Sequence, residues 1–124
     1  MERPVIKSRG LNHININVSN LERSIAFYQR AFGLKVRFKS GRSMAFLGSP
    51  GADDVISLCK AAKGAPVGNG GVSHFGFAMS GAFDKAIAQV EKAGGKLMER
   101  GEHAPGVPFA FFSDPDGYVI EISN

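Results

Sequence analysis

The chain has 124 residues, a formal net charge of +4 and 44% hydrophobic side chains. That length suits one domain, which buries roughly two thirds of its unfolded surface and needs no staple. The charge excess is too small to argue for nucleic acid, and the single cysteine, Cys59, excludes an intrachain disulfide; the longest charge-free run, Gly64 to Phe83, is too rich in glycine to span a bilayer.

Met1 to Gly10 reads as a lead-in strand or arm without the apolar core of a secretion signal, so a cytoplasmic protein is expected. From Leu11 to Val18 the residues alternate: Ile14, Ile16 and Val18 share one face of a strand, and His13, Asn15 and Asn17 share the other. Ser19-Asn20-Leu21-Glu22 reads as a capping box opening a helix. Its apolar stripe is Leu21, Ile25, Tyr28 and Phe32, and Gly33 ends it as a left-handed cap. Strands follow at Leu34 to Lys39, Ser43 to Gly48 and Val55 to Cys59, and the Gly/Ala/Pro-rich stretch Ala61 to Gly71 reads as a linker. Lys35, Arg37, Lys39 and Arg42 form a basic strip, either a solvated face or an attractor for anionic substrates.

The second half repeats the order. A strand from Val72 to Met79 turns His74, Gly76 and Ala78 away from Phe75, Phe77 and Met79. Ser80 is the expected cap of a helix carrying Phe83, Ile87 and Val90 and ending at Gly94-Gly95. Lys96 to Arg100 is the next strand, Glu102 to Pro108 a loop, and Phe109 to Ser113 with Tyr118 to Ser123 a hairpin closed by Asp114-Pro115-Asp116-Gly117.

His74 follows His13 at the same interval at which Gly94 follows Gly33. Val55-Ile56-Ser57-Leu58 closes the first copy and Val119-Ile120-Glu121-Ile122 the second. Such an internal repeat predicts an α+β chain of two tandem βαβββ modules. Module one runs over about 10–60, the linker over about 61–71 and module two over about 72–124, together one domain over 1–124. The repeat also sets three metal-ligand residue types at matching places, His13, His74 and Glu121, with Ser57 where a fourth ligand would stand. Two imidazoles and a carboxylate are an effective set for a divalent ion such as Zn, Mn, Ni or Fe.

The runs LNHININVSNLERSIAFYQRAFGL, VSHFGFAM and FFSDPDGYVIEIS resemble the vicinal oxygen chelate superfamily, from about Gly10 to Ser123. That group includes glyoxalase I, bleomycin-resistance proteins, fosfomycin-modifying enzymes and extradiol dioxygenases. The resemblance implies a glyoxalase-like fold in which paired modules form a curved mixed sheet around a metal. It implies His13, His74 and Glu121 as ligands, with Ser57 where glyoxalase I carries a glutamate. It also implies a homodimer, with the site either within one chain or shared between the two, and a small-molecule substrate that chelates the metal through two neighbouring oxygens. The expected activity is lyase, isomerase or transferase chemistry, with dioxygenase-like oxidation and non-catalytic binding or resistance as alternatives. Phe111 stands where extradiol dioxygenases carry a tyrosine.

Around such a site the pocket candidates are Asn15, Phe46, Ser57, His103 and Phe111. Asn15 and Asn17 either hydrogen-bond a ligand or are satisfied by strand neighbours. Phe46, Phe109 and Phe111 either wall an apolar pocket or belong to the core. His103 is either a mobile acid or base over the site or an exposed loop residue. Cys59 has no visible activator.

Overall fold

A computed structural model describes residues 11–70 and 73–124; the expected lead-in arm and Val72 lie outside the described residues. The elements alternate in the repeated order. Module one holds β1 (His13–Val18), α1 (Leu21–Phe32), β2 (Lys35–Ser40), β3 (Met44–Gly48) and β4 (Val55–Lys60). Module two holds β5 (Phe75–Ala78), α2 (Phe83–Lys92), β6 (Lys96–Ala104), β7 (Val107–Ser113) and β8 (Val119–Ser123). The class is α+β, and the strands form two four-stranded mixed sheets, ordered β1-β4-β3-β2 and β5-β8-β7-β6. The outer pairs β1–β4 and β5–β8 are parallel and the others antiparallel.

The repeat survives to the level of register. Each module has a row of partners running straight across its sheet: Asn15, Ser57, Phe46 and Phe38 in the first, Gly76, Glu121, Phe111 and Glu99 in the second. Both sheets also carry a β-bulge at the same point, between Val36 and Phe38 and between Leu97 and Glu99. Ser57 therefore occupies the place in β4 that Glu121 occupies in β8.

The alternation along β1 works as expected, with Ile16 and Val18 buried and His13, Asn15 and Asn17 exposed. Helix α1 buries Leu21, Ser24, Ile25, Phe27, Tyr28, Ala31 and Phe32, and it stops at Gly33, whose φ of 70° belongs to the left-handed region. One apolar cluster spans both modules, with Phe32 of α1 stacked on Phe77 of β5 at 4.4 Å between ring centroids.

Three local expectations need correction. The cap of α1 is Asn20, whose Oδ1 accepts from the Arg23 amide at 3.0 Å. Ser19 is drawn away instead, its hydroxyl donating to Asp116 across the module boundary. Helix α2 is capped by Ala82 without a side-chain bond, because the chain turns through Gly81 between Ser80 and the helix. The expected 102–108 loop is mostly strand: β6 runs on to Ala104 and pairs with β7, so a tight turn at Pro105-Gly106 replaces the loop.

The modules are joined by the turn between β7 and β8. Tyr28 Oη donates to Asp114 Oδ2 at 2.7 Å in a buried setting, and Asp114 Oδ1 accepts from the amides of Asp116 and Tyr118 at 2.9 Å each. Asp116 accepts from the Ser19 amide and from Arg23, and Tyr118 Oη donates to Asn17 O at 2.7 Å. Burial raises the Asp114 carboxyl above the ordinary aspartate range, opposed by the hydrogen bond from Tyr28 and those from the two amides. Burial, and then the neighbouring Asp114 charge, raises Tyr28 well above the usual phenol range, so it stays a donor.

Tyr28→Phe should cost about 1–3 kcal/mol, since it strips a buried carboxylate of its donor; urea denaturation of both proteins measures this. A raised carboxyl contributes stability that is full below the unfolded pKa of about 3.9 and is lost as pH climbs through the folded value. Asp114→Asn keeps an acceptor for the two amides and removes that loss. The variant should therefore gain on wild type between pH 4 and 7; a constant difference across that range would refute the assignment.

Candidate metal centre

Each module brings its histidine to the sheet by the same device. Asn12 Oδ1 lies 2.6 Å from His13 Nδ1, and Ser73 Oγ lies 3.0 Å from His74 Nδ1. Asn12 and Ser73 are themselves repeat-related, each directly preceding its histidine. With Nδ1 engaged by the preceding side chain, Nε2 of each ring is the nitrogen left to act as a ligand. Neither orienting residue was anticipated from the sequence, although the repeat spacing carries the signal.

In module two, His74 Nε2 lies 3.2 Å from Glu121 Oε1. Two donors bound to one ion at about 2.0–2.2 Å sit about 3.0–3.4 Å apart, so this pair is spaced as two ligands of a shared ion. Glu121 is largely enclosed, its side chain 19% exposed, while His74 is 36% exposed. Phe111, beside Glu121 in register, meets the His74 ring edge to face at 4.9 Å. Gly76 is Glu121's partner on β5, and a β-carbon there would lie 2.8 Å from the Glu121 carbonyl oxygen. Only glycine lets β5 approach the backbone of β8 this closely at Glu121.

His103 also reaches Glu121, its Nε2 lying 2.8 Å from Oε2, and its ring stacks on Phe109 at 4.2 Å. It sits in a bulge of β6 between Glu102 and Ala104 and is not a mobile loop residue. Glu99 shares the row of Glu121 and Phe111 and was not singled out from the sequence.

The corresponding face of module one is different. Ser57 is buried, and its hydroxyl donates to Asn15 Oδ1 at 2.6 Å, with Cys59 Sγ reaching the same oxygen at 3.2 Å. That hydroxyl is spent within the sheet. Phe46 partners Ser57 and packs against the exposed Phe38 at 5.8 Å. His13 lies in a depression with Phe46, Asp53 and Val55. Among the described residues, no three His, Cys, Asp or Glu side chains gather closely enough in one chain to hold a metal ion. The chain therefore presents His74 with Glu121 as a fitting pair, and His13 apart from them.

Two members of the basic strip have local partners. Arg37 donates to the carbonyls of Ser49, Ala52 and Asp54 at 2.9, 2.7 and 2.6 Å, and so ties down the loop between β3 and β4. Lys39 pairs with Glu22 at 3.2 Å. Both are engaged with neighbouring groups of module one.

The sequence profile of the Glyoxalase/Bleomycin resistance protein/Dioxygenase superfamily matches residues 10–122, and the chain belongs to that family. It is 33% identical over 122 residues to a lactoylglutathione lyase of Neisseria meningitidis, covering 90% of this chain and 87% of that one. It is 36% identical over 66 residues to a probable trivalent organoarsenical cleaving enzyme of Bacillus subtilis, covering 52% of this chain. The chain spans less than half of that relative, 42% of its length. Its fold matches a crystal structure of a glyoxalase/bleomycin resistance protein from Albidiferax ferrireducens, with a TM-score of 0.71 and 25% identity over 91% of this chain and 96% of that one. No helix among the described residues is long and apolar enough to cross a membrane.

Gly76→Ala should cost about 1–3 kcal/mol, because a methyl group there forces β5 from β8. Denaturation curves of the two proteins check this, and an unchanged midpoint would show that the strands have room.

Proposed function

We propose that this chain is a metal-dependent enzyme that holds one divalent ion through His74 and Glu121 of one copy and His13 of a second. The carrying observation is the 3.2 Å approach of His74 Nε2 to Glu121 Oε1 on the sheet face. The bound ion would supply Lewis-acid stabilisation of negative charge on a substrate that chelates it through two adjacent oxygens. The chain's own residues orient the ligands, through Asn12 and Ser73, and wall the face with Phe109 and Phe111. Asn15, two residues beyond His13, is spent on Ser57 and Cys59 and keeps its amide nitrogen for substrate oxygen.

This arrangement calls for a homodimer. His13 opens β1 and His74 directly precedes β5, and both strands lie at sheet edges: among the described residues β1 pairs only with β4 and β5 only with β8. Edge strands with open backbone groups invite pairing with a second chain. A two-fold axis would then bring His13 of each copy to the other's His74 and Glu121, making two equivalent sites.

Ser57 shapes the reaction class. A serine already bonded to Asn15 cannot take up a proton from carbon at neutral pH. Proton transfer between two carbons by a pair of glutamates is therefore disfavoured, and lyase, isomerase or transferase chemistry with a single metal-bound carboxylate is the better reading. Phe111 has no hydroxyl to assist oxygen chemistry, which disfavours the dioxygenase alternative. The second reading is a binding or resistance protein, favoured by the dispersal of the three ligands within one chain. The unpaired Cys59 suits a reducing compartment, and the cytoplasm is the proposed location.

Protein purified without a chelating tag should carry close to one divalent ion per chain by elemental analysis, and Glu121→Ala should lose it. Absence of metal after reconstitution with Zn, Mn, Ni and Fe in turn would leave the binding reading. Turnover across hemithioacetal, α-hydroxycarbonyl, epoxide and catechol compounds separates enzyme from binder.

Sharing of the site has its own test. His13→Ala and Glu121→Ala proteins should each be empty, but co-refolding them in equal amounts should restore metal to about a quarter of all sites, since each mixed dimer regenerates one. No recovery would mean that each site is built within one chain.

A further inference from the structure

We propose that His103 is a positioning residue that holds Glu121 in its ligand orientation by donating to the oxygen left free by the metal. The inference rests on the proposed role of Glu121 as a ligand. Its two carboxylate oxygens face different groups: Oε1 faces His74 at 3.2 Å, and Oε2 faces His103 at 2.8 Å. The distances separate the roles. The longer one suits two ligands sharing an ion, whereas the shorter is the length of a charge-assisted hydrogen bond. His103 therefore acts on Glu121 and not beside it.

The position of His103 is built, and the described residues of module one hold nothing like it. The bulges at 37 and 98 are repeat-related, but the bulge between Glu102 and Ala104 is not matched in β2, which ends at Ser40. Strands β6 and β7 have 9 and 7 residues, against 6 and 5 in β2 and β3. The longer hairpin carries residue 103 out to the site, on the face that alternation gives Glu99 and Gly101 and that register shares with Glu121. Two contacts then fix it. The Gly106 amide donates to Glu102 Oε2 at 2.7 Å, closing the turn beside it, and Phe109 lies under the imidazole with 19° between the planes. An imidazole held flat on a phenyl ring loses little further freedom on bonding the carboxylate.

The consequence is specific to this chain. Where the family place for a second glutamate is filled by Ser57, module one contributes only His13 to the ion, and the remaining carboxylate has to be well ordered. A hydrogen bond on Oε2 keeps Glu121 a one-oxygen ligand and turns Oε1 toward His74. Partners that orient a metal ligand typically contribute about 10- to 100-fold in affinity when removed.

Cobalt(II) titration of the 124-residue chain, followed by its visible absorption, tests this with His103→Ala and His103→Gln. The alanine variant should bind cobalt about 10- to 100-fold more weakly with a changed spectrum. The glutamine variant, whose amide still donates, should recover most of the affinity. Metal-free thermal unfolding of each variant reports any loss of fold separately. Equal cobalt affinity and an unchanged spectrum in His103→Ala would overturn the positioning role while leaving Glu121 a ligand. Equally weak binding by both variants would overturn the hydrogen-bond mechanism. No cobalt binding by wild type would overturn the metal reading and this inference together.

Discussion

The buried bond between Tyr28 Oη and Asp114 Oδ2 joins the helix of one module to the last turn of the other, across 86 residues of sequence. Asp114 is only 5% exposed, so neither group can turn to solvent for a partner. The same carboxylate closes its own turn by accepting the amides of Asp116 and Tyr118. One side chain thus fixes the shape of the β7–β8 connection and its docking on α1. Since β8 leaves that turn directly, the position of Glu121 relative to module one follows from this contact.

The two modules show what duplication preserves and what it releases. Strand order, register, the bulges at 37 and 98, the side chain that holds each histidine Nδ1 and the Phe beside the β4 or β8 centre are all kept. These features serve folding or orient a ring, and both copies need them. The central residue of the row is released: Glu121 in one sheet, Ser57 in the other. Ser57 has become an interior group satisfied by Asn15, which removes charge from the face of module one. Module two has instead extended its hairpin and brought His103 onto the carboxylate.

Much of this was legible in the sequence because it is local. Alternation places Ile16 and Val18 inside and His13 outside with no knowledge of what they meet. Helical spacing marks the buried stripe of α1, and glycine marks its end. The offset shared with the helix-ending glycines pairs His13 with His74. Their matching last strands make Ser57 the counterpart of Glu121, as the registers of β4 and β8 bear out. The errors were also local signals overruled at a distance. Ser19 has the chemistry of a cap, but Asp116 competes for its hydroxyl. Glycine and proline between 102 and 108 read as a loop, yet pairing with β7 supplies enough ladder bonds to continue β6.

By itself, the sequence determined the order of the elements, the faces of the strands and the residue types offered to a ligand. Each depends on backbone sterics and on apolar periodicity over a few residues. Only the tertiary structure decided which of those residues meet. His74 and His103 converge on Glu121, while His13 lines one depression with Phe46 and Asp53 and another with Phe75 and Gly76. Such meetings depend on strand register, on the length of a hairpin and on a docked turn. All three are set by contacts between residues far apart along the chain, which no local pattern encodes.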